Sequence, residues 1–244
     1  MAGEGEETFA LMIRFYGHGE EKEEGEKGGE KDGEGEKGGE KDGEGEKGGE
    51  KNRKKNEGRV ELKDILGITY RKPGQPSQVC VNHPRPPMEL NRLPFPYREL
   101  KEEDWAHRIL YYESSRGCPC SCSYCLSSID KAVRFRDLEK VKQELRFFLD
   151  RNVSQVKFVD RTFNCRKSHA MEIWNYIHEH DNGVTNFHFE IAGDLLDEEE
   201  IALFSKMRPG LIQLEIGVQS ANPKTIAAIR RKMDLEKVGR MAAR

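Results

Sequence analysis

The strongest constraint on the fold is a change of rhythm that begins near Arg108. "RILYYE" reads as a strand, and "DLEKVKQELRFFLDRN" as an amphipathic helix with Val141, Leu145 and Phe148 on one stripe. "VKFVD" is a second strand, "SHAMEIWNYIHEHD" a helix with Ile173, Trp174 and Ile177 inward, and "NFHFEIA" a third strand. "DEEEIALFSKM" is a helix with acids in its first turn, where the helix dipole favours them. "LIQLEIGVQS" is a fourth strand, and "NPKTIAAIRRK" opens another helix with an early proline. Strands that alternate with helices run parallel and are joined by crossovers. The expected fold over 108–244 is therefore α/β, a sheet or part of a (β/α) barrel. In barrels, chemistry gathers at the C-terminal ends of the strands. The suggestive polar residues all stand there: the cysteines after strand one, Asp160 after strand two, Glu190 at strand three, and Glu215, Gln219 and Ser220 at strand four.

The loop after the first strand reads "GCPCSCSYC" and packs Cys118, Cys120, Cys122 and Cys125 into eight positions. A gap of three residues followed by a gap of two occurs in only one register, Cys118–Cys122–Cys125. A loop of that length can wrap three thiolates around one face of a cubane iron–sulfur cluster, and three ligands for four irons leave one iron open. An open iron can bind a substrate or cofactor. Two competitors remain at this point. Zinc prefers a closed set of four N/S ligands, which the four cysteines match in number, although cysteines one residue apart are poor tetrahedral chelators. A non-catalytic electron-transfer or sensor cluster is the other. Crowded thiols of this kind suit a reducing compartment, so the expected location is the cytoplasm. Cys80 and Cys165 stand alone and read as free buried thiols; no histidine pair has ligand spacing.

Ahead of the rhythmic part the chain is heterogeneous. "EETFALMIRFYG" reads as a short, mostly buried helix. Residues 19–58 repeat "GEGEKGGEKD" at a period of ten and hold 13 of the 24 glycines. With no apolar side chain to offset the entropy of ordering, this tract is expected to be disordered. It carries 15 acidic against 10 basic residues, a net of −5, which leaves +2 on the rest of a chain whose total is −3. Neither figure supplies the clustered positive charge of a nucleic-acid surface. No run of 18 apolar residues exists, and no signal-peptide core, so no membrane partner is expected. "VELKDILGITYRK" reads as a turn of helix, a break at Gly67 and a strand from Ile68 to Tyr70. Five of the ten prolines fall between Pro84 and Pro96, which makes 84–107 a stiff, extended linker.

The cysteine loop after a first strand closely resembles that of the radical S-adenosylmethionine (radical SAM) superfamily. "YYESSRGCP", "YCLSS" and "VDRTFN" together resemble a branch whose members carry a cobalamin-binding domain. The resemblance implies a [4Fe-4S] cluster on Cys118, Cys122 and Cys125, with Cys120 surplus and Tyr124 as the family's aromatic before the last cysteine. It implies that the open iron chelates S-adenosylmethionine, that one electron cleaves the sulfonium bond, and that the resulting 5′-deoxyadenosyl radical abstracts hydrogen from a substrate. Asp160 is then the acceptor for the methionyl amino group, Arg161 a partner of its carboxylate, and Glu190, Gln219 and Ser220 contacts to the amino group, ribose or carboxylate. Flavodoxin or ferredoxin is the implied electron donor. Residues 1–18 and 59–83 are similar to the tail of a doubly wound cobalamin-binding domain, of which only the last helix and strand could fit before Pro84; cobalamin is thus an expectation for a longer relative. Four βα units, where the family's partial barrel has about six, imply an incomplete chain. The substrate is not encoded in any motif.

Overall fold

The computed structural model describes residues 4–17, 60–129 and 132–243. The repeat tract expected to be disordered, 19–58, lies outside the described residues. The chain divides into two compact units, Met1–Met88 and Glu89–Arg244.

The first unit contains helix α1 (Glu6–Gly17) and strands β1 (Thr69–Lys72) and β2 (Gln75–Val81). The two strands pair antiparallel, Tyr70 opposite Cys80, across a Pro73–Gly74 turn in which Gly74 has φ 75°. Proline followed by a positive-φ glycine is the signature of a type II turn. Only the first of the two strands was legible as a strand, and it runs later than expected. A doubly wound domain runs its strands parallel, whereas β1 and β2 run antiparallel. Helix α1 corrects a second expectation. It is not mostly buried: Phe9, Ile13 and Tyr16 are exposed, and only Thr8 is fully enclosed. Polar contacts hold it instead. The Thr8 hydroxyl donates to the Leu66 carbonyl at 3.0 Å and accepts from Arg85 Nε at 2.9 Å, while Arg85 Nη1 lies 2.7 Å from Glu7 Oε2.

The second unit carries the alternation. After α2 (Glu102–Trp105) come β3 (Ile109–Tyr112), a small antiparallel pair β4 (Ser115–Arg116) and β5 (Arg134–Phe135), and α3 (Leu138–Asp150). Then follow β6 (Gln155–Phe158), α4 (Lys167–Glu179), β7 (Asn186–Ile191), α5 (Glu198–Phe204), β8 (Ile212–Ile216), α6 (Pro223–Ala228) and α7 (Leu235–Ala242). Strands β3, β6, β7 and β8 form one sheet in that order, every pair parallel. This is the expected α/β fold, four βα units of a partial barrel. Helix starts follow their caps: Asp137 accepts from the amides of Glu139 and Lys140, Asp197 and Glu200 form a capping box, and Asn222 caps α6 with Pro223 in its first turn.

The two faces of the sheet differ. Toward the helices, Leu110, Tyr112, Val156, Phe158, Phe187 and Phe189 are buried against α3 to α5, with Val141, Leu145, Phe148, Ile173, Trp174 and Ile177 fully enclosed. Aromatic edges meet faces throughout, as between Tyr112 and Phe158 at 5.1 Å and between Trp174 and Phe204 at 4.8 Å. Within this core, Arg136 pairs with Glu144 at 2.7 Å, and Glu144 also accepts from the Tyr112 hydroxyl at 2.7 Å, so both buried charges are matched. The opposite face is polar. Gln155 donates to Asn186 at 3.0 Å, and Lys157 reaches Glu215 at 3.1 Å and Glu190 at 3.5 Å.

The proline-rich segment is more than a linker. It forms 3₁₀ turns at Leu90–Arg92 and Pro96–Glu99, and its Phe95 and Tyr97 rings pack on Phe147 and Phe148. The Tyr97 hydroxyl donates to the Tyr111 carbonyl at 2.7 Å and accepts from the Tyr111 amide at 3.0 Å. It thereby satisfies the outward N–H and C=O of Tyr111 on β3, the edge strand of the sheet.

Candidate active site

The loop that follows β3 carries the cysteines, and two devices shape it. Gly117 sits at φ 105°, and a Cβ there would lie 2.6 Å from the Ala132 carbonyl oxygen, so backbone conformation and space both require glycine. Asp160, at the end of β6, grips the start of the loop. Its carboxylate accepts from the Ser114 amide at 3.0 Å, the Ser114 hydroxyl at 2.7 Å and the Ser115 hydroxyl at 2.6 Å. Burial raises its pKa to about 6, against these three donors, which pull it down. The Ser114 hydroxyl proton is committed to Asp160, so His169 Nε2, 3.1 Å away, carries a proton and donates to Ser114 Oγ. Burial, and then the nearby Arg166, lower the His169 pKa to about 4, which keeps the ring neutral.

Beyond the clasp the four thiols diverge in setting. Cys118 and Cys122 are buried; Cys120 and Cys125 are half-buried. Cys118 Sγ lies 3.4 Å from Thr162 Oγ1, and Arg231 Nη1 approaches Cys122 Sγ at 3.9 Å. The loop is tied to the far end of the sheet by the Ser123 amide, which donates to the Ile229 carbonyl at 2.9 Å. Burial, then Cys118 beside it, push the Cys120 thiol up to about 11. Burial also raises Cys165, with Cys118 the next cause. Among the described residues, no three His, Cys, Asp or Glu side chains are drawn together as around a single metal ion. A cubane asks for a different arrangement, in which each thiolate reaches its own iron.

All four thiols, Cys118, Cys120, Cys122 and Cys125, line one cavity of about 260 Å³ at the C-terminal rim of the sheet. Four more of the expected site residues line it: Tyr124, Arg161, Glu190 and Gln219. Glu215 lines it too, with its carboxyl held below the usual range by Lys157. Gly217 admits close approach, since a Cβ there would come within 2.5 Å of Gln219 Nε2, and Gln219 itself adopts φ 64°. A non-glycine residue in that region is the kind of strain that collects at functional sites.

Two expected ligands are not brought there. Asp160 is wholly enclosed and its oxygens are occupied by Ser114 and Ser115, so it shapes the loop rather than facing the cavity. Ser220 does not line the cavity; its hydroxyl accepts from the Asn222 amide at 3.1 Å, next to the α6 cap. Strand parity reaches neither residue: β6 ends at Phe158 and β8 at Ile216, and the positive φ of Gln219 breaks the alternation before Ser220. The sequence reading missed Thr162, Asp194, Arg231 and Lys232, all of which line the cavity. Arg231 Nη2 also donates to the Gly217 carbonyl at 2.6 Å. No spacing rule points to Arg231, because it reaches the cavity from the loop beyond α6.

The radical SAM superfamily profile matches residues 112–243. The chain is 32% identical over 126 residues to an uncharacterized methyltransferase of Pyrococcus horikoshii, a match covering 48% of this chain and 27% of that protein. It is 24% identical over 181 residues to the anaerobic magnesium-protoporphyrin IX monomethyl ester cyclase of Rubrivivax gelatinosus, covering 70% of this chain and 32% of that one. The chain thus spans about a third or less of the length of these curated relatives. Among solved structures, the radical S-adenosylmethionine methyltransferase TsrM of Kitasatospora setae, with tryptophan substrate and a SAM analog bound, superposes with a TM-score of 0.57 at 16% identity, covering 77% of this chain and 39% of that chain. At that identity the likeness is one of fold.

Proposed function

The chain belongs to the radical SAM superfamily of enzymes, and from that premise we propose that Cys118, Cys122 and Cys125 hold a [4Fe-4S] cluster whose open iron takes S-adenosylmethionine. The observation that carries this reading is the convergence of those three thiols and the polar ends of β7 and β8 on one cavity. The donor set fits the group: soft thiolates, two of them buried, in the spacing that leaves one iron without a protein ligand. When bound, the cluster would supply one electron for cleavage of the sulfonium C–S bond of S-adenosylmethionine to methionine and a 5′-deoxyadenosyl radical, for hydrogen abstraction or methyl transfer on a substrate.

The chain's own residues place and shield that chemistry. Arg231 and Arg161 offer guanidinium groups to the methionyl carboxylate. Glu190 offers a carboxylate to its ammonium, the role first assigned to Asp160. Gln219 and Tyr124, which line the same cavity, are the candidates for the ribose and the adenine. Lys157 pairs with Glu190 and Glu215 beside the cavity, and its ammonium holds the Glu215 carboxyl below the usual range. The methyltransferase name of the Pyrococcus relative supports methyl transfer as the reaction class. Cobalamin stays with longer relatives in this reading, because residues 60–83 supply an antiparallel hairpin and no parallel sheet. Among the described residues no helix is long and apolar enough to cross a membrane. We assign the protein to the cytoplasm, with a flavodoxin or ferredoxin as reductant, because its thiols and cluster require reducing conditions.

Anaerobic reconstitution with iron and sulfide, followed by dithionite and S-adenosylmethionine, tests the reading. The expected products are a cluster whose spectrum responds to S-adenosylmethionine, and 5′-deoxyadenosine. Cys122→Ala should abolish cluster assembly, and Cys120→Ala should not. Equal loss in both variants would show that the register is wrong. A cluster indifferent to S-adenosylmethionine would favour an electron-transfer module, and zinc without sulfide a structural metal site.

A further inference from the structure

Thr162 is buried, lies at the cavity wall, and is two residues beyond the Asp160 clasp. Its Oγ1 is 3.4 Å from Cys118 Sγ, within reach of a sulfur hydrogen bond. The same oxygen is 2.8 Å from the Arg161 carbonyl. A hydroxyl has one proton to give, and a thiol has another. While Cys118 is a thiol, its S–H can point at Thr162 and the threonine proton at Arg161. Ligation to iron changes this. The thiol proton leaves to solvent, and the sulfur can then only accept. The threonine hydroxyl rotates freely about its C–O bond, so its proton can swing from the Arg161 carbonyl to the sulfur.

Resting on the cluster assignment above, we propose that Thr162 is a positioning residue for the cluster, its hydroxyl donating to the Cys118 thiolate and thereby setting the reduction potential. Hydrogen bonds to ligating sulfurs are among the factors that set cluster potentials, and groups behind the ligands tune the metal. The direction follows from charge. Adding one electron increases the negative charge on the sulfurs, so a donor at Cys118 stabilises the reduced state more than the oxidised one. The hydroxyl therefore raises the potential. Arg231, 3.9 Å from Cys122 Sγ, is a second and longer-range donor to a second ligand, and its Nε is buried without a hydrogen-bond partner. No comparable donor reaches Cys125 Sγ among the described residues. The three thiolates are thus unequal, and Thr162 is the neutral donor of the set.

The test compares Thr162→Val, which keeps the shape and removes the hydroxyl, with Thr162→Ser, which keeps the hydroxyl. Each full chain is reconstituted anaerobically, its iron and sulfide are counted, and its midpoint is found by dithionite titration followed by electron paramagnetic resonance, without S-adenosylmethionine. The expected result is a more negative midpoint for Thr162→Val and the native midpoint for Thr162→Ser, at equal iron content. Failure of Thr162→Val to load, with Thr162→Ser loaded at the native midpoint, also supports a hydroxyl requirement. A loaded Thr162→Val with the native midpoint overturns the proposal. So does a Thr162→Ser that behaves like Thr162→Val, whether in midpoint or in failing to load. Native protein that takes up no iron overturns the cluster assignment itself, and this proposal with it.

Discussion

The two faces of the parallel sheet are built from the same strands and do different work. On the helix side, Val156, Phe158, Phe187 and Phe189 pack with Trp174 and Phe163 into an aromatic core, and the two carboxylates admitted there, Glu144 and Asp160, are hydrogen-bonded. On the other side, Gln155, Lys157, Asn186, His188 and Glu190 remain partly accessible and lead up to the cavity. Asp160 and Glu190 make the difference concrete. Both are carboxylates at strand ends of one rim. One points toward the helices and clasps a loop; the other points across the sheet and faces the cavity. A carboxylate at the rim is therefore defined by the face it joins.

The comparison can be broken most severely at the core. Trp174→Ala should cost about 3–5 kcal/mol of stability, because a large buried aromatic leaves a cavity its neighbours cannot close. Denaturant unfolding measures it, and a loss near zero would mean that the helix face is not the stabilising one.

The Asp160 clasp should give a smaller effect with a distinctive pH signature. Asp160→Asn is expected to destabilise by roughly 1–3 kcal/mol, the cost of buried partners left imperfectly matched. Asp160 has a folded pKa raised to about 6, so the stability it contributes is present below its unfolded value and is lost as pH rises through about 6. His169 has a folded pKa lowered to about 4, so its contribution is present above its unfolded value and is lost as pH falls through about 4. The two slopes oppose each other between about pH 4 and 6. Relative to the native chain, Asp160→Asn should become more stable as pH rises through that window, and His169→Asn less stable. Urea midpoints at several pH values decide it; parallel curves for all three proteins would remove the clasp from the account.

The smallest effect belongs to the polar face. Lys157→Met should change stability by less than about 1 kcal/mol, since its ion pairs with Glu190 and Glu215 are partly solvated. The same unfolding assay checks it. A loss comparable to Trp174→Ala would show that this face is a core after all, and the contrast between the two faces would fail.

Much of the fold was legible because its cause is local. The apolar stripes at Val141–Leu145–Phe148 and Ile173–Trp174–Ile177 repeat at helical spacing, and the strands between them alternate, so the order of elements could be read without knowing what they pack against. The hairpin β1–β2 was only half read, although Pro73–Gly74 marks its turn. The exposure of Phe9, Ile13 and Tyr16 could not be read at all, because an apolar stripe states what a helix can bury and leaves open whether a neighbour arrives.

The sequence by itself determined the parallel α/β architecture and the crowding of four thiols into the loop after its first strand, since both rest on one stretch of chain. Only the tertiary structure decided which polar groups stand around those thiols. Thr162 and Arg231 reach Cys118 and Cys122 from two different strand–helix units, Glu190 faces the same cavity from a third, and Asp160 turns away. Beyond the last ladder bond, a side chain's direction is set by loop torsions such as those of Gly117 and Gln219 and by what has packed beneath, and neither is encoded in the spacing of nearest neighbours.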